Sequence, residues 1–160
     1  MTIKHLFIGL VSVFFTFSCA KTSDSASANS VDGTYSRCTD NGNGTSVKIT
    51  TTFGSSGSTI VQDAFGYATS DCSGATGSSL FGFSGTQVMG PLGQSITYAG
   101  GTDLVITPST DPWGCGAGQP TYSWVVFAPN YASFKAPSAA PGCSAGAAPT
   151  TIDNVPYTRQ

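Results

Sequence analysis

The run Thr45-Ser46-Val47-Lys48-Ile49-Thr50-Thr51-Thr52-Phe53 puts Val47, Ile49 and Phe53 on one parity and Ser46, Lys48, Thr50 and Thr52 on the other. Successive side chains of a β-strand point to opposite faces, so this run predicts a strand with one buried and one wet face. Similar short runs recur between glycine-rich turns. Gly33-Thr34-Tyr35-Ser36-Arg37-Cys38 precedes Asp40-Asn41-Gly42-Asn43-Gly44, whose residues tolerate positive φ and favour a hairpin. Gly54-Ser55-Ser56-Gly57 turns the chain into Ser58–Thr69, where Val61, Phe65 and Tyr67 share a parity. Further strands are expected at Ser79–Thr86, Gln94–Tyr98, Leu104–Thr107, Tyr122–Phe127 and Val155–Arg159, about eight in all. Only 9% of residues are charged, 20 are glycine and Ser and Thr abound, which disfavours helices. The expected class is therefore all-β: an antiparallel meander, sandwich or barrel of short strands.

The cysteines and the N-terminal leader bear on compartment. Leu6–Ser18 is largely apolar, follows the pair Lys4-His5 and is closed by Cys19. It is shorter than the roughly 20 apolar residues of a spanning helix, so residues 1–18 are expected to be a cleaved signal peptide. Residues 19–30 lack aromatic and branched apolar side chains and are expected to form a flexible tether. Residues 31–160 are expected to form a single β domain, because about 130 residues suffice for one core and no second boundary is marked.

Removing the leader takes away Lys4 and the sole histidine, leaving five basic residues against eight aspartates, a formal charge of −3. No basic stripe for nucleic acid remains. Cys38, Cys72, Cys115 and Cys143 are then even in number and allow three pairings. In an oxidising compartment, with no Cys-x-x-Cys pair, disulfides are expected rather than a metal site.

Thr16-Phe17-Ser18-Cys19 resembles the lipobox of bacterial lipoproteins, in which a small residue precedes a cysteine that receives diacylglycerol. This resemblance implies lipidation at Cys19 and an exported protein of the bacterial cell envelope, anchored to a membrane by two acyl chains. The alternative is ordinary cleavage after Ser18-Cys19-Ala20, which would give a soluble secreted or periplasmic protein.

A second resemblance covers about residues 31–75. Gly33-Thr34-Tyr35-x-x-Cys38, a turn, a strand ending in Phe53, a strand carrying Tyr67 and then Ser70-Asp71-Cys72-Ser73 resembles the N-terminal half of small secreted bacterial lipoproteins with a lipocalin-like fold. It implies a calycin-type antiparallel barrel or half-barrel in which Cys38 pairs with Cys72. The remaining sequential pair, Cys115 and Cys143, would tie the Ala/Pro/Ser/Gly-rich loop 136–151 to the turn before Tyr122. Gly33-Thr34-Tyr35 is also similar to the Gly-x-Trp opening of lipocalins, in which the aromatic closes the barrel base under a late arginine. Tyr35 and Arg159 would take those parts.

The mature chain has neither His nor Glu. That removes the commonest general base, the Ser-His and Cys-His pairs and histidine-rich zinc sites, so a non-enzymatic role without cofactor or metal is expected. Asp63 and Asp71 are better read as solvated turn carboxylates than as a catalytic pair. Asp40-Asn41-Gly42-Asn43-Gly44 is better read as a turn than as a calcium loop, since Gly42 stands where an oxygen ligand is needed.

Tyr35, Trp113 and Trp124 are the candidate ligand-contacting residues, weighed against simple packing. Two roles remain: a barrel holding a small apolar or amphipathic molecule, or an envelope structural or interaction module with a filled core. Cavity volume discriminates them.

Overall fold

The computed structural model describes residues 30–160. The leader, Cys19 and most of the expected tether lie outside the described residues.

Eight antiparallel strands follow one another around a closed barrel: β1 (Gly33–Asp40), β2 (Ser46–Gly54), β3 (Thr59–Tyr67), β4 (Ser79–Met89), β5 (Thr102–Pro108), β6 (Thr121–Phe127), β7 (Ser133–Lys135) and β8 (Tyr157–Arg159). Every strand pairs with its sequence neighbours, and β8 closes on β1 through Tyr35↔Arg159 and Ser36↔Thr158. Closure pairs the first strand with the last at the lower end, and so shortens the exposed sheet edges that an open meander of this length would present.

Cross-strand partners carry the inward face around the barrel. Tyr35 lies opposite Thr51, Thr51 opposite Gln62 and Gln62 opposite Phe83. On the other side Leu104 faces Ser123, Thr102 faces Val125, and Phe134 faces Tyr157. The alternation in β2 has its expected consequence, with Thr51 and Phe53 buried and Ile49 packed against the core. In β3 the buried parity is Ile60, Gln62 and Ala64, whereas Val61 is exposed. A register shift at Ala64/Phe65 interrupts the ladder with β4 above that point.

Two elements depart from the sequence expectation. Gln94–Tyr98 is not a strand. Ser95 Oγ accepts the Thr97 and Tyr98 amides, Ser95 N–H donates to Gly101 O, and the Asp103 carboxylate accepts from Ser95 Oγ and the Ile96 amide. Short Ser and Asp side chains have thus taken the backbone groups a ladder would need. Conversely, β7 is a strand of only three residues, too short for alternation to be visible.

The barrel's lower end, where β1 begins and β8 ends, is filled. Tyr35, Phe53 and Phe134 meet edge-on, with centroids 5.2–5.8 Å apart, and Phe134 stacks on Tyr157 at 4.6 Å. The N-terminal segment is fastened across this end because Asp32 accepts the Ser56 and Gly57 amides of the β2–β3 turn, at 2.8 Å each.

The disulfides are Cys38–Cys72 and Cys115–Cys143, with Cα–Cα separations of 5.9 and 5.3 Å. The first holds the β3–β4 loop against β1. Ser46 supports it from beneath, accepting the Cys72 amide and donating to Thr69 O. The second joins the β5–β6 loop to the long segment between β7 and β8.

Candidate functional site

Above the aromatic floor the barrel interior opens into a cavity of about 270 Å³. Its walls are aliphatic and aromatic: Ile49, Ile60, Leu104, Ile106 and Val125, with Phe81 and Phe83 along β4. Polar groups share the lining, Ser138 and Tyr157 among them. Arg37 enters from β1, Thr51 from β2, Gln62 from β3 and Ser123 from β6. Gln62 Nε2 donates to Thr51 Oγ1 at 2.8 Å, so these two hold each other. A concave chamber whose hydrophobic and aromatic walls carry convergent polar groups can hold a small molecule.

Loops cover part of the upper end. Trp113, from the β5–β6 loop, lines the cavity and meets Phe83 edge-on at 4.6 Å. Pro137–Pro141 runs across the opening, pinned by backbone bridges Pro137↔Ile152 and Tyr122↔Gly142 and by the Cys115–Cys143 disulfide. Gly142 is required at its place, since a Cβ there would stand 2.2 Å from Ala147 O.

The upper part of β1 has no β8 partner, because β8 pairs only with Tyr35 and Ser36. A side-chain contact joins this part of β1 to the long segment: Arg37 Nη1 donates to Asp153 Oδ2, while Asp153 Oδ1 accepts the Val155 amide at 3.0 Å. The Val155 amide, with help from Arg37, holds the Asp153 carboxyl below the usual carboxylate range against the opposing effect of burial. The Arg37 guanidinium also lies 4.7 Å from the centroid of the Tyr157 ring. Burial raises the Tyr157 phenol, and the Arg37 charge opposes that rise. Arg37 Nε is buried without a hydrogen-bond partner.

The three ligand-contact candidates fall in three different places. Trp113 is on the cavity wall. Tyr35 lies in the floor, fully buried, with its hydroxyl donating to Val31 O at 3.1 Å. Trp124 is opposite Asp103 in the β5–β6 ladder, on the parity that faces away from the central cluster. Its ring stacks on Tyr98 at 4.1 Å and its Nε1 donates to Pro149 O, so it anchors two loops to the outer wall, while the residue also forms part of the cavity lining. Arg37, Thr51 and Gln62 were not singled out as contact residues from sequence. The signal that would have found them is polar residues on the parity of buried neighbours: Arg37 two residues from Tyr35, and Thr51 between Ile49 and Phe53.

The aspartates of the sequence reading lie apart from this cavity. Asp63 is on β3 with the outward parity, and Asp71 is in the β3–β4 loop. Hydrogen bonds from Ser73 and Thr69 keep the fully exposed Asp71 carboxyl below its ordinary range. In the β1–β2 turn, Asp40 accepts the Gly42 amide and Asn43 accepts from the amide and hydroxyl of Thr45. These oxygens stabilise the turn itself.

Fold and cavity together define a disulfide-braced, eight-stranded antiparallel β-barrel with a partly covered interior chamber. The chain matches no family model, no curated protein and no solved structure.

Proposed function

We propose that this protein is an exported bacterial envelope lipoprotein, anchored through Cys19, whose lipocalin-like barrel holds a small apolar or amphipathic molecule and catalyses no reaction. The observation that carries the binding reading is the chamber of about 270 Å³ above the aromatic floor. A solid barrel of this size would continue its core to the upper end, and protein interiors leave few voids larger than a water molecule. Here the floor is packed, and above it the buried Ile60, Phe83, Leu104, Ile106 and Val125 line a space that they do not fill. The Arg37–Asp153 contact and the disulfide-held strap keep this chamber shaped without filling it. The export reading rests on the leader and on the cysteine-terminated Thr16-Phe17-Ser18-Cys19. Two disulfides agree with an oxidising compartment.

Native mass spectrometry of the mature protein from its own host tests both parts. Diacylglyceryl mass on Cys19 together with a releasable small molecule is the expected result. A protein that begins at Lys21 contradicts the anchor. A chain that carries nothing and fails to bind any small amphiphile in titration favours a purely structural envelope module. Turnover of generic ester, peptide, phosphate or glycoside substrates, lost on Asp63→Ala or Asp71→Ala in a folded protein, would overturn the non-enzymatic reading.

A further inference from the structure

We infer that the chamber selects a small monocarboxylate, with the carboxylate on Arg37 and the apolar body against Phe83 and Trp113. This rests on the binding reading above and adds the charge and size of the ligand. Arg37 is the one charged side chain among the described residues that line the chamber. A guanidinium carries five N–H donors in a planar fork. One hydrogen bond, from Nη1 to Asp153, is made, and Nε is buried without any partner. Nε itself has no surface open to the chamber, so an added acceptor would meet Nη2, for which no hydrogen bond is made among the described residues.

Asp153 does not fill that role. Its Oδ1 is committed to the Val155 amide, so it meets Arg37 through one oxygen rather than as a two-pronged pair. Its side chain is 27% exposed, against 16% for Arg37, which places the acid on the wetter side of the contact. The Tyr157 ring lies against one face of the guanidinium, its centroid 4.7 Å from Cζ. A carboxylate oxygen would accept from Nη2 in a charge-assisted hydrogen bond, which an alcohol or an amine makes less strongly or not at all.

Charge and volume narrow the class. Lys48 and Lys135 occupy the outward parities of β2 and β7 and are absent from the lining, so a dianion would lack a second cation in the chamber. A cation would meet only Arg37. The cavity of about 270 Å³ equals about nine water volumes. An acyl or aromatic body of that size excludes long-chain lipids lying wholly inside. Trp113 and Phe83 supply the apolar surface for it.

Isothermal titration of the oxidised protein near neutral pH with decanoate and the shorter carboxylates down to hexanoate, each beside the alcohol and the amine of equal length, tests the inference. At least one carboxylate should bind about tenfold or more tightly than the alcohol or amine of equal length. Arg37→Gln should remove that preference while the alcohol's affinity changes little, with circular dichroism confirming the fold. If Arg37→Gln does not fold, the comparison of head groups on the unmodified protein decides alone. Alcohol binding as tight as carboxylate binding overturns the charge assignment and leaves the binding reading standing. Absence of binding by every member of the series overturns both.

Discussion

The guanidinium of Arg159 lies over the ring of Tyr35, 5.7 Å from its centroid, and the two residues are also partners across the β1–β8 closure. Arg159 donates as well to the backbone oxygens of Ser30 and Asp32, so a single side chain ties the end of the barrel to its beginning. Gly33 makes this possible: at φ 150° it gives the backbone path into β1, and a Cβ there would stand 3.0 Å from the Arg159 guanidinium. Arg159→Ala should therefore destabilise the domain by about 2 kcal/mol in urea unfolding, because hydrogen bonds from a charged donor are lost together with the ring contact. Tyr35→Phe, which loses only the bond to Val31, should cost about 1 kcal/mol. Arg159→Lys should recover little, since an ammonium cannot reproduce the planar fork.

The disulfides close chain segments with sequence separations of 34 and 28. Replacing either pair by serines should lower stability by about 3 kcal/mol in the chain-entropy picture. The consequences for the chamber should differ. Loss of Cys115–Cys143 frees the strap over the opening and should weaken ligand binding, whereas loss of Cys38–Cys72 acts on the outer β3–β4 loop and should leave binding nearly unchanged. Unfolding curves and titrations on the two double variants separate these outcomes.

Stability should fall at both ends of the pH scale for identifiable reasons. The Asp153 carboxyl is depressed in the fold, chiefly by the Val155 amide, so its contribution is present above the unfolded aspartate value of about 3.9 and is lost as pH falls through the lower folded value. Asp153→Asn should flatten that acid limb. The Tyr35 and Tyr157 phenols are raised by burial, so the neutral forms belong to the fold. Their contribution is complete below about pH 10 and is lost as pH rises through the folded values. Tyr157→Phe should remove part of the alkaline loss in urea midpoints measured across pH.

The two tryptophans should report different events. Both belong to the chamber lining, but the Trp124 ring is stacked on Tyr98 and fully buried, whereas the Trp113 ring meets Phe83 on the chamber wall. Ligand-dependent fluorescence should fall most in Trp113→Phe and largely persist in Trp124→Phe. Trp124→Phe should instead cost about 1–3 kcal/mol, because the carbonyl of Pro149 loses its buried donor. An undiminished ligand signal in the Trp113 variant would contradict the placement of the ligand against that ring.

The sequence by itself determined the all-β class and most strand positions, because alternation is written locally: Val47, Ile49 and Phe53 need no distant partner to declare a face. Cysteine count and resemblance pointed to the pairing that the structure contains, Cys38–Cys72 and Cys115–Cys143. Local pattern misassigned Gln94–Tyr98, where Ser95 and Asp103 capture the backbone, and it missed β7, which exists only because β6 and β8 flank it. Closure of the ring, the pairing of Arg37 with Asp153 and the chamber above the Phe53–Phe134 floor were decided by the tertiary structure alone. Each depends on residues far apart in the chain meeting at a particular register, and neither hydrophobic periodicity nor composition encodes which strand ends will meet or how much space their side chains leave between them.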